Sequence, residues 1–204
     1  MITIIDYGVG NLGSIRNMLK KLGQASEISS DINKIKEADK LILPGVGSFD
    51  YGMTKLNEYG FIEVLNEKVM IEKVPILGIC LGVQLMTKSS KEGQLPGLGW
   101  FDAETVPFEF SATDELIIPH MGWNSVTQAK ESKLFQDMYE ESKFYFVHSF
   151  HLKANLKSDE LLISKYGYNF VSALEHENVV GVQFHPEKSH KYGLKLLTNF
   201  AELY

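Results

Sequence analysis

Cys80 is the only cysteine among the 204 residues, and it stands in Gly78-Ile79-Cys80-Leu81-Gly82, directly behind the apolar run Val74-Pro75-Ile76-Leu77. A strand that turns sharply into a helix needs small residues on both sides of the turning position, because a Cβ at Gly78 or Gly82 would crowd the returning chain. Such a turn holds a side chain out at the top of a sheet, beside the unpaired N–H groups of a helix N-terminus, a setting that suits a cysteine nucleophile. A buried structural thiol is the competing reading, so the choice rests on a base elsewhere. One candidate lies near the C-terminus, in Val179-Val180-Gly181-Val182-Gln183-Phe184-His185-Pro186-Glu187-Lys188-Ser189. Its first six residues read as a strand. In extended chain, residues two apart project to the same side, so the Glu187 carboxylate can steer the His185 imidazole. A cysteine nucleophile needs an imidazole to take the thiol proton and return it to a leaving amine, and a carboxylate to hold the tautomer. A loop with a solvated acid is the plainer reading of His-Pro-Glu taken alone; the cysteine turn strengthens the pair.

These residues need a frame that brings position 80 to position 185. In the first half, apolar runs at Ile2 to Ile5, Leu41 to Leu43 and Pro75 to Ile79 alternate with helical spacing: Ile15, Met18, Leu19 and Leu22, then Met53 and Leu56, then Phe61, Ile62, Leu65 and Val69. This βα repetition implies a parallel sheet covered on both faces. The second half changes to short strands: Leu116 to Ile118, Asn124 to Val126, Phe144 to Val147, Leu161 to Tyr166, Phe170 to Glu175 and Val179 to Phe184, the last two joined across Glu177-Asn178 as a hairpin. Leu196, Leu197, Phe200 and Leu203 predict a closing helix, and Gly93 to Gly99 reads as a loop. The expected fold is α/β with a mixed, mostly parallel sheet and added antiparallel strands, and the length favours one domain over residues 1–204.

Composition excludes several function classes. A net charge of −6, with no basic run longer than Lys20-Lys21, argues against a nucleic-acid surface. The N-terminus lacks the marks of a signal peptide and no apolar stretch approaches the ~18 residues of a membrane span, so a cytoplasmic location is expected. A lone cysteine forms no internal disulfide. Gly8-Val9-Gly10-Asn11-Leu12-Gly13 is a literal G-x-G-x-x-G after a strand, with Asp31 near the place of a ribose-binding acid; Asp6-Tyr7 lengthens the turn, and no cofactor is expected. No metal is expected either. His148 and His151 should point to opposite faces of one strand, and His120, His176 and His190 lack persuasive partners.

Six motifs in order resemble the class I, triad-type glutamine amidotransferases, and within them the glutaminase subunits of imidazole glycerol phosphate synthase. They are Asp6-Tyr7-Gly8-Val9-Gly10-Asn11-Leu12, Pro44-Gly45-Val46-Gly47-Ser48-Phe49, Gly78-Ile79-Cys80-Leu81-Gly82-Val83-Gln84, Pro119-His120-Met121-Gly122-Trp123-Asn124, Phe146-Val147-His148-Ser149 and the segment from Gly181 to Ser189. The resemblance implies a flavodoxin-like fold and a glutaminase in which Cys80 is nucleophile, His185 base then acid, and Glu187 the orienting acid. It implies oxyanion donors from Leu81 and from the Val46–Gly47 segment, and glutamine held by Gly45, Gln84, Glu92, His148, Ser149 and Phe150, although Glu92 also reads as a solvated loop acid. Asn11, Met121, Trp123 and Lys188 match positions that face a partner, a (β/α)8-barrel cyclase in a heterodimer of histidine biosynthesis; Trp123 as a core anchor is the other reading. The segment from Gly97 to Phe108, and His151 where an aromatic is usual, depart from the pattern and resemble a paralogous branch that supplies ammonia for sugar amidation in surface-polysaccharide synthesis. A dinucleotide-binding protein and a stand-alone Cys-His-Glu hydrolase are the rival classes.

Overall fold

A computed structural model describes residues 1–111 and 116–204. The first half runs β1 (Ile2–Ile5), α1 (Leu12–Lys21), β2 (Ser26–Ser29), α2 (Ile32–Lys36), β3 (Lys40–Gly45), α3 (Phe49–Glu58) and α4 (Phe61–Asn66). A π-helical turn at Glu67–Ile71 then leads to β4 (Ile76–Cys80) and the five-residue α5 (Leu81–Leu85). The second half holds β5 (Ser89–Ser90), β6 (Ala103–Pro107), β7 (His120–Ser125), β8 (Thr127–Gln128), β9 (Lys143–His148), β10 (Phe150–Ala154), β11 (Glu160–Tyr166), β12 (Tyr168–His176), β13 (Val179–Val182) and α6 (His190–Leu203).

The main sheet has the order β2-β1-β3-β4-β13-β12-β10-β6-β5, with β11 beside β12 and β8 beside β11. From β2 to β13 every pairing is parallel; β12 turns the sheet antiparallel. Strands that are apolar throughout fit the parallel part, since both faces are covered. Ile5, Leu41 and Leu43 pack on one face with Phe49, Met53, Leu56 and Phe61 of α3 and α4. Ile4, Ile42, Leu77 and Ile79 pack on the other with Ile15 and Leu19 of α1 and Leu196, Leu197 and Phe200 of α6. Each fully buried aliphatic side chain contributes about 1.5–3 kcal/mol, so these two layers hold β4 and β13 in place.

The G-x-G-x-x-G segment has structural duties. Gly8 and Gly10 take φ of +82° and +110°, and Asn11 caps α1 by accepting the Ser14 N–H at 3.4 Å. Asp31 is spent in the same way, accepting the Asn33 N–H at 2.8 Å to cap α2. The hairpin at Glu177-Asn178 forms as expected, pairing His176 with Val179, with Glu177 at φ 51°.

Three expectations need correction. Leu116 to Ile118 is not a strand: Ile117 and Ile118 are exposed and lead into β7, and their apolar character finds no core. β7 begins at His120, four residues earlier than expected, and pairs with β9 in a separate two-stranded sheet. His148 and His151 do not share one strand, because the chain breaks pairing at Ser149 between β9 and β10, and both rings converge on Phe108 at 5.1 and 4.8 Å.

Glycine opens the path for the turn at Cys80. A Cβ on Gly82 would lie 1.8 Å from the Leu43 carbonyl oxygen, one on Gly78 2.7 Å from the Met86 sulfur, and one on Gly181 2.1 Å from Val83 Cγ2. Gly82→Ala meets backbone that cannot yield as a side-chain tip does. It is expected to destabilise the fold by about 3 kcal/mol, read as a lower urea midpoint at unchanged m-value, whereas Gly13→Ala, inside α1 with open space around it, should not lower the midpoint, alanine being the better helix former.

Candidate active site

β3, β4 and β13 are parallel neighbours, so their C-terminal ends open on the same edge of the sheet, where open α/β sheets receive ligands. Cys80 closes β4 with φ 55°. Left-handed backbone at a non-glycine residue carries strain that the surrounding packing must hold; here it turns the side chain to the mouth of a cleft of about 330 Å³. Val46, Gly47, Cys80, Leu81, Gln84, Glu92, His148, Ser149, Phe150 and His185 all line that cleft. α5 is a single short turn, so what it offers at Cys80 is a set of first-turn N–H groups, Leu81 foremost, rather than the dipole of a long helix.

His185 follows β13 and is held by backbone on both sides. Its N–H donates to the Tyr145 carbonyl at 2.9 Å, and its carbonyl accepts the Ser189 hydroxyl at 2.6 Å. Nδ1 lies 2.7 Å from Glu187 Oε1, with both side chains at 3% exposure or less. Pro186 starts a 3-10 turn that folds the carboxylate back beneath the ring. Nε2 and Glu187 Oε2 are buried without hydrogen-bond partners among the described residues. Burial opposes a charged imidazole, but the nearby Cys80 sulfur and the Glu187 carboxylate outweigh it, and His185 is pushed up to about 10. The ring is therefore proton-retentive, as a leaving-group acid must be, with Nε2 uncommitted and the thiol beside it.

The opposite wall is neutral by contrast. Burial pulls His148 down to about 3 and His120 to about 4. Phe150 O is 2.8 Å from His148 Nδ1, which fixes the proton there; Nε2 then accepts from His120 Nδ1 at 2.8 Å, and His120 Nε2 accepts from Asn124 Nδ2 at 3.2 Å. Both ring nitrogens of His148 are thus occupied, so this side chain shapes the wall and leaves ligand contacts to its backbone. Gln84 Nε2 donates to Phe150 O at 3.3 Å and to Gln183 Oε1 at 3.1 Å. That bond turns the Gln183 amide so that its Nε2 reaches the Cys80 sulfur at 3.9 Å. The amide nitrogen of Gln84 being spent, its carbonyl oxygen is the atom left for a ligand donor.

Gly45 stands apart from the expected ligand set. It lies behind the cleft wall, where a Cβ would come within 2.7 Å of Tyr7 Oη and 2.9 Å of Leu81 Cβ. Tyr7 donates its hydroxyl to the Pro44 carbonyl at 2.7 Å, and its phenol, raised by burial and by Cys80, stays neutral. Gly47 takes φ +105° in open space, so what selects glycine there is conformation and not crowding. Tyr7 and Gln183 are positioning residues absent from the expected set. Gln183 carries a signal in the sequence, a lone amide inside the apolar strand Val179 to Phe184; Tyr7 carries none of its own.

Of the residues expected to face a partner, Asn11 and Lys188 are exposed, Met121 is 61% exposed and Trp123 47%. Trp123 stacks on His190 at 5.5 Å, and Lys188 lies 5.6 Å over the Tyr145 ring. The tryptophan is not a core anchor. His151 and Phe108, from the two stretches that depart from the expected pattern, meet in one buried cluster, where His151 Nε2 also contacts Tyr168 Oη at 3.1 Å.

An α/β sheet with a cysteine at a strand-to-helix turn, facing a buried histidine–carboxylate pair, defines an amide-cleaving class of enzyme fold. The chain belongs to the class I glutamine amidotransferases, whose family model matches residues 3–203. It is 54% identical over 202 residues to the imidazole glycerol phosphate synthase subunit HisH 2 of Methanococcus maripaludis, covering 99% of both chains. With the protein of the same description from Pseudomonas aeruginosa it shares 48% over 203 residues, covering both chains completely. Among solved structures, a glutamine amidotransferase aligns with TM-score 0.75 at 17% identity over 100% of this chain and 98% of that one. The PurLQS structure from Thermotoga maritima aligns with TM-score 0.70 at 16% identity, over 98% of this chain and 96% of that one. No described helix is long and apolar enough to cross a membrane.

The raised imidazole predicts an alkaline limit. A histidine that must protonate a leaving amine loses function as pH rises through its folded pKa, so glutamine turnover should fall as pH approaches about 10. Glu187→Gln removes one of the two groups that raise it, and the alkaline limb of kcat/KM should move to lower pH while kcat drops roughly 10²-fold or more. An unmoved limb would mean that Glu187 does not set the imidazole.

Proposed function

We propose that this chain is the glutaminase subunit of an imidazole glycerol phosphate synthase, a single catalytic domain over residues 1–204 that works in the cytoplasm beside a (β/α)8-barrel cyclase. The observation that carries the reading is the His185–Glu187 pair set against Cys80, in a chain more than half identical, end to end, to a protein described as a HisH subunit. Glutamine enters with its side-chain amide over Cys80. His185 takes the thiol proton as Sγ attacks the amide carbon, the tetrahedral oxyanion takes N–H donors from Leu81 and from the Val46–Gly47 segment, and His185 returns the proton to the amide nitrogen as the C–N bond breaks and neutral ammonia leaves. Water, deprotonated by His185, then opens the glutamyl thioester and glutamate leaves. No cofactor or metal has a part in these steps.

Recognition of the amino acid falls to the other wall. Glu92 and the carbonyl of Gln84 suit the α-ammonium group; the backbone of His148, Ser149 and Phe150 suits the α-carboxylate. Ammonia set free in water would be protonated and diluted. A docked partner keeps it neutral and close to its acceptor, which is a proximity advantage. Asn11, Met121, Trp123 and Lys188 form the face for that partner. In the histidine pathway the acceptor is a phosphoribulosyl aminoimidazole intermediate, converted to imidazole glycerol phosphate and an aminoimidazole carboxamide ribonucleotide.

Cys80→Ala should abolish glutamine-dependent product formation by the two-subunit complex while the partner's reaction with added ammonium salt survives; retained glutamate release would remove Cys80 from the mechanism. Glutamate release should also rise by orders of magnitude from the isolated chain to the complex with acceptor, because one oxyanion donor is worth about 10²–10³ in rate and Gly47 is free to turn its peptide. Equal rates in both states would favour a stand-alone hydrolase. Activation only by a synthase that amidates a sugar would move the pathway to surface-polysaccharide synthesis and leave the glutaminase chemistry unchanged.

A further inference from the structure

Glu92 lies in a loop, between β5 and the glycine-rich stretch that follows, where nothing in the local chain forces its carboxylate toward the cleft. Two contacts with α3 do so. Glu92 Oε2 accepts the Phe49 N–H at 2.9 Å, and it serves as the cap that Ser48 does not supply, since the Ser48 side chain makes no capping bond. In return, the Asp50 carboxylate on the first turn of α3 accepts the N–H groups of Gln94, at 3.0 and 2.9 Å, and of Leu95, at 3.0 Å. Helix and loop clasp each other through one carboxylate from each side. Between them stands Gly93, where a Cβ would lie 2.0 Å from Asp50 Oδ1, so the turn closes on the carboxylate only without a side chain. Ser90 holds the near end of the turn, its hydroxyl accepting the Glu92 N–H at 3.1 Å.

We propose that Asp50 is a positioning residue for substrate selection: its carboxylate pins the turn at 93–95 so that Glu92 meets the α-ammonium group of glutamine. This rests on the reading of Glu92 as an α-ammonium ligand. Glu92 lines the cleft, and with Oε2 tied to Phe49, Oε1 takes no hydrogen bond from the described residues. Without Asp50 the N–H groups of Gln94 and Leu95 lose their partner, and the turn is tied to α3 only through the bond from Phe49 to the Glu92 carboxylate. Asp50 itself touches no reacting atom. Its loss should weaken capture of ligands that carry an α-amino group and leave the chemical step alone.

The test is steady-state glutamate release by the complex of this chain with its synthase subunit, with glutaramate, which is glutamine without the α-amino group, as a competitive inhibitor. Asp50→Ala should raise KM for glutamine about tenfold, the size of one lost charge-assisted contact, with kcat within twofold and the inhibition constant of glutaramate unchanged. Gly93→Ala should produce the same selective rise by pushing the turn off the carboxylate. Added to Asp50→Ala it should have no further effect, because the clash partner is gone. Glu92→Gln separates the two levels of the proposal. If Glu92→Gln raises KM for glutamine and Asp50→Ala does not, Asp50 is not the positioning residue. If Glu92→Gln leaves KM unchanged, the α-ammonium reading fails and the role of Asp50 falls with it. Equal weakening of glutamine and glutaramate in the Asp50 variant would mark general damage to the cleft and overturn the selective role.

Discussion

The approach of Gly82 to the Leu43 carbonyl is the contact on which the site depends. Only a hydrogen fits between the start of α5 and the end of β3, and because of that α5 can fold straight back over the sheet while Cys80 keeps its left-handed backbone. Were the helix held a few ångströms away, Leu81, the Val46–Gly47 segment and Cys80 would no longer line one cleft. The same tolerance recurs on the other side, where Gly181 admits Val83 and lets β13 deliver His185 next to the sulfur. Three strands that are sequence-distant but sheet neighbours thus share one edge, and the glycines set how close their ends come.

The electrostatics of the cleft divide sharply. One wall carries a histidine driven toward its charged form by a buried carboxylate and a sulfur; the other carries histidines that burial keeps neutral. A second cation near Cys80 would compete with His185 for the same negative charge as it develops. Keeping His148 and His120 uncharged, in a chain whose hydrogen bonds run from Asn124 to Phe150 O, leaves a single proton carrier in the site. The neutral wall is also continuous with β7, whose Met121 and Trp123 are exposed, so this strand is hydrogen-bonded through His120 and His148 to the cleft.

What is legible in the sequence follows from how local each signal is. The turn at Cys80 and the His185–Glu187 pair are written within five residues each, and the chemistry of glycine, proline and i, i+2 spacing suffices to read them. β1, β3, β4 and β13 are legible because burial on both faces makes them largely apolar. β2, β6 and β10 escape such a reading: Ser26–Ser29 and Ala103–Pro107 carry too much polar character, and β10 continues the apolar run of β9 after a break at Ser149 that no residue type announces. Leu116 to Ile118 misleads in the other direction, since apolar side chains at a surface imitate a strand. The tie from Asp50 to Gln94 and Leu95 joins residues 44 and 45 apart through backbone N–H groups, and side-chain identities at such a distance do not predict it.

The place of β13 in the sheet has a further consequence for how the molecule comes into being. This strand comes about a hundred residues after β4 in sequence, yet it is inserted between β4 and β12 in the middle of the sheet. During synthesis on the ribosome the first four parallel strands can assemble early, but the edge of β4 stays open until the C-terminal segment emerges. The nucleophile is therefore made long before its base, and the same late strand closes the sheet and brings His185 to Cys80. A chain cut short before Val179 would lack its acid–base pair and also carry two unpaired central edges, which marks it for aggregation or degradation. Emergence of β13 is in this sense a checkpoint: a copy that stops before it holds the nucleophile without its base.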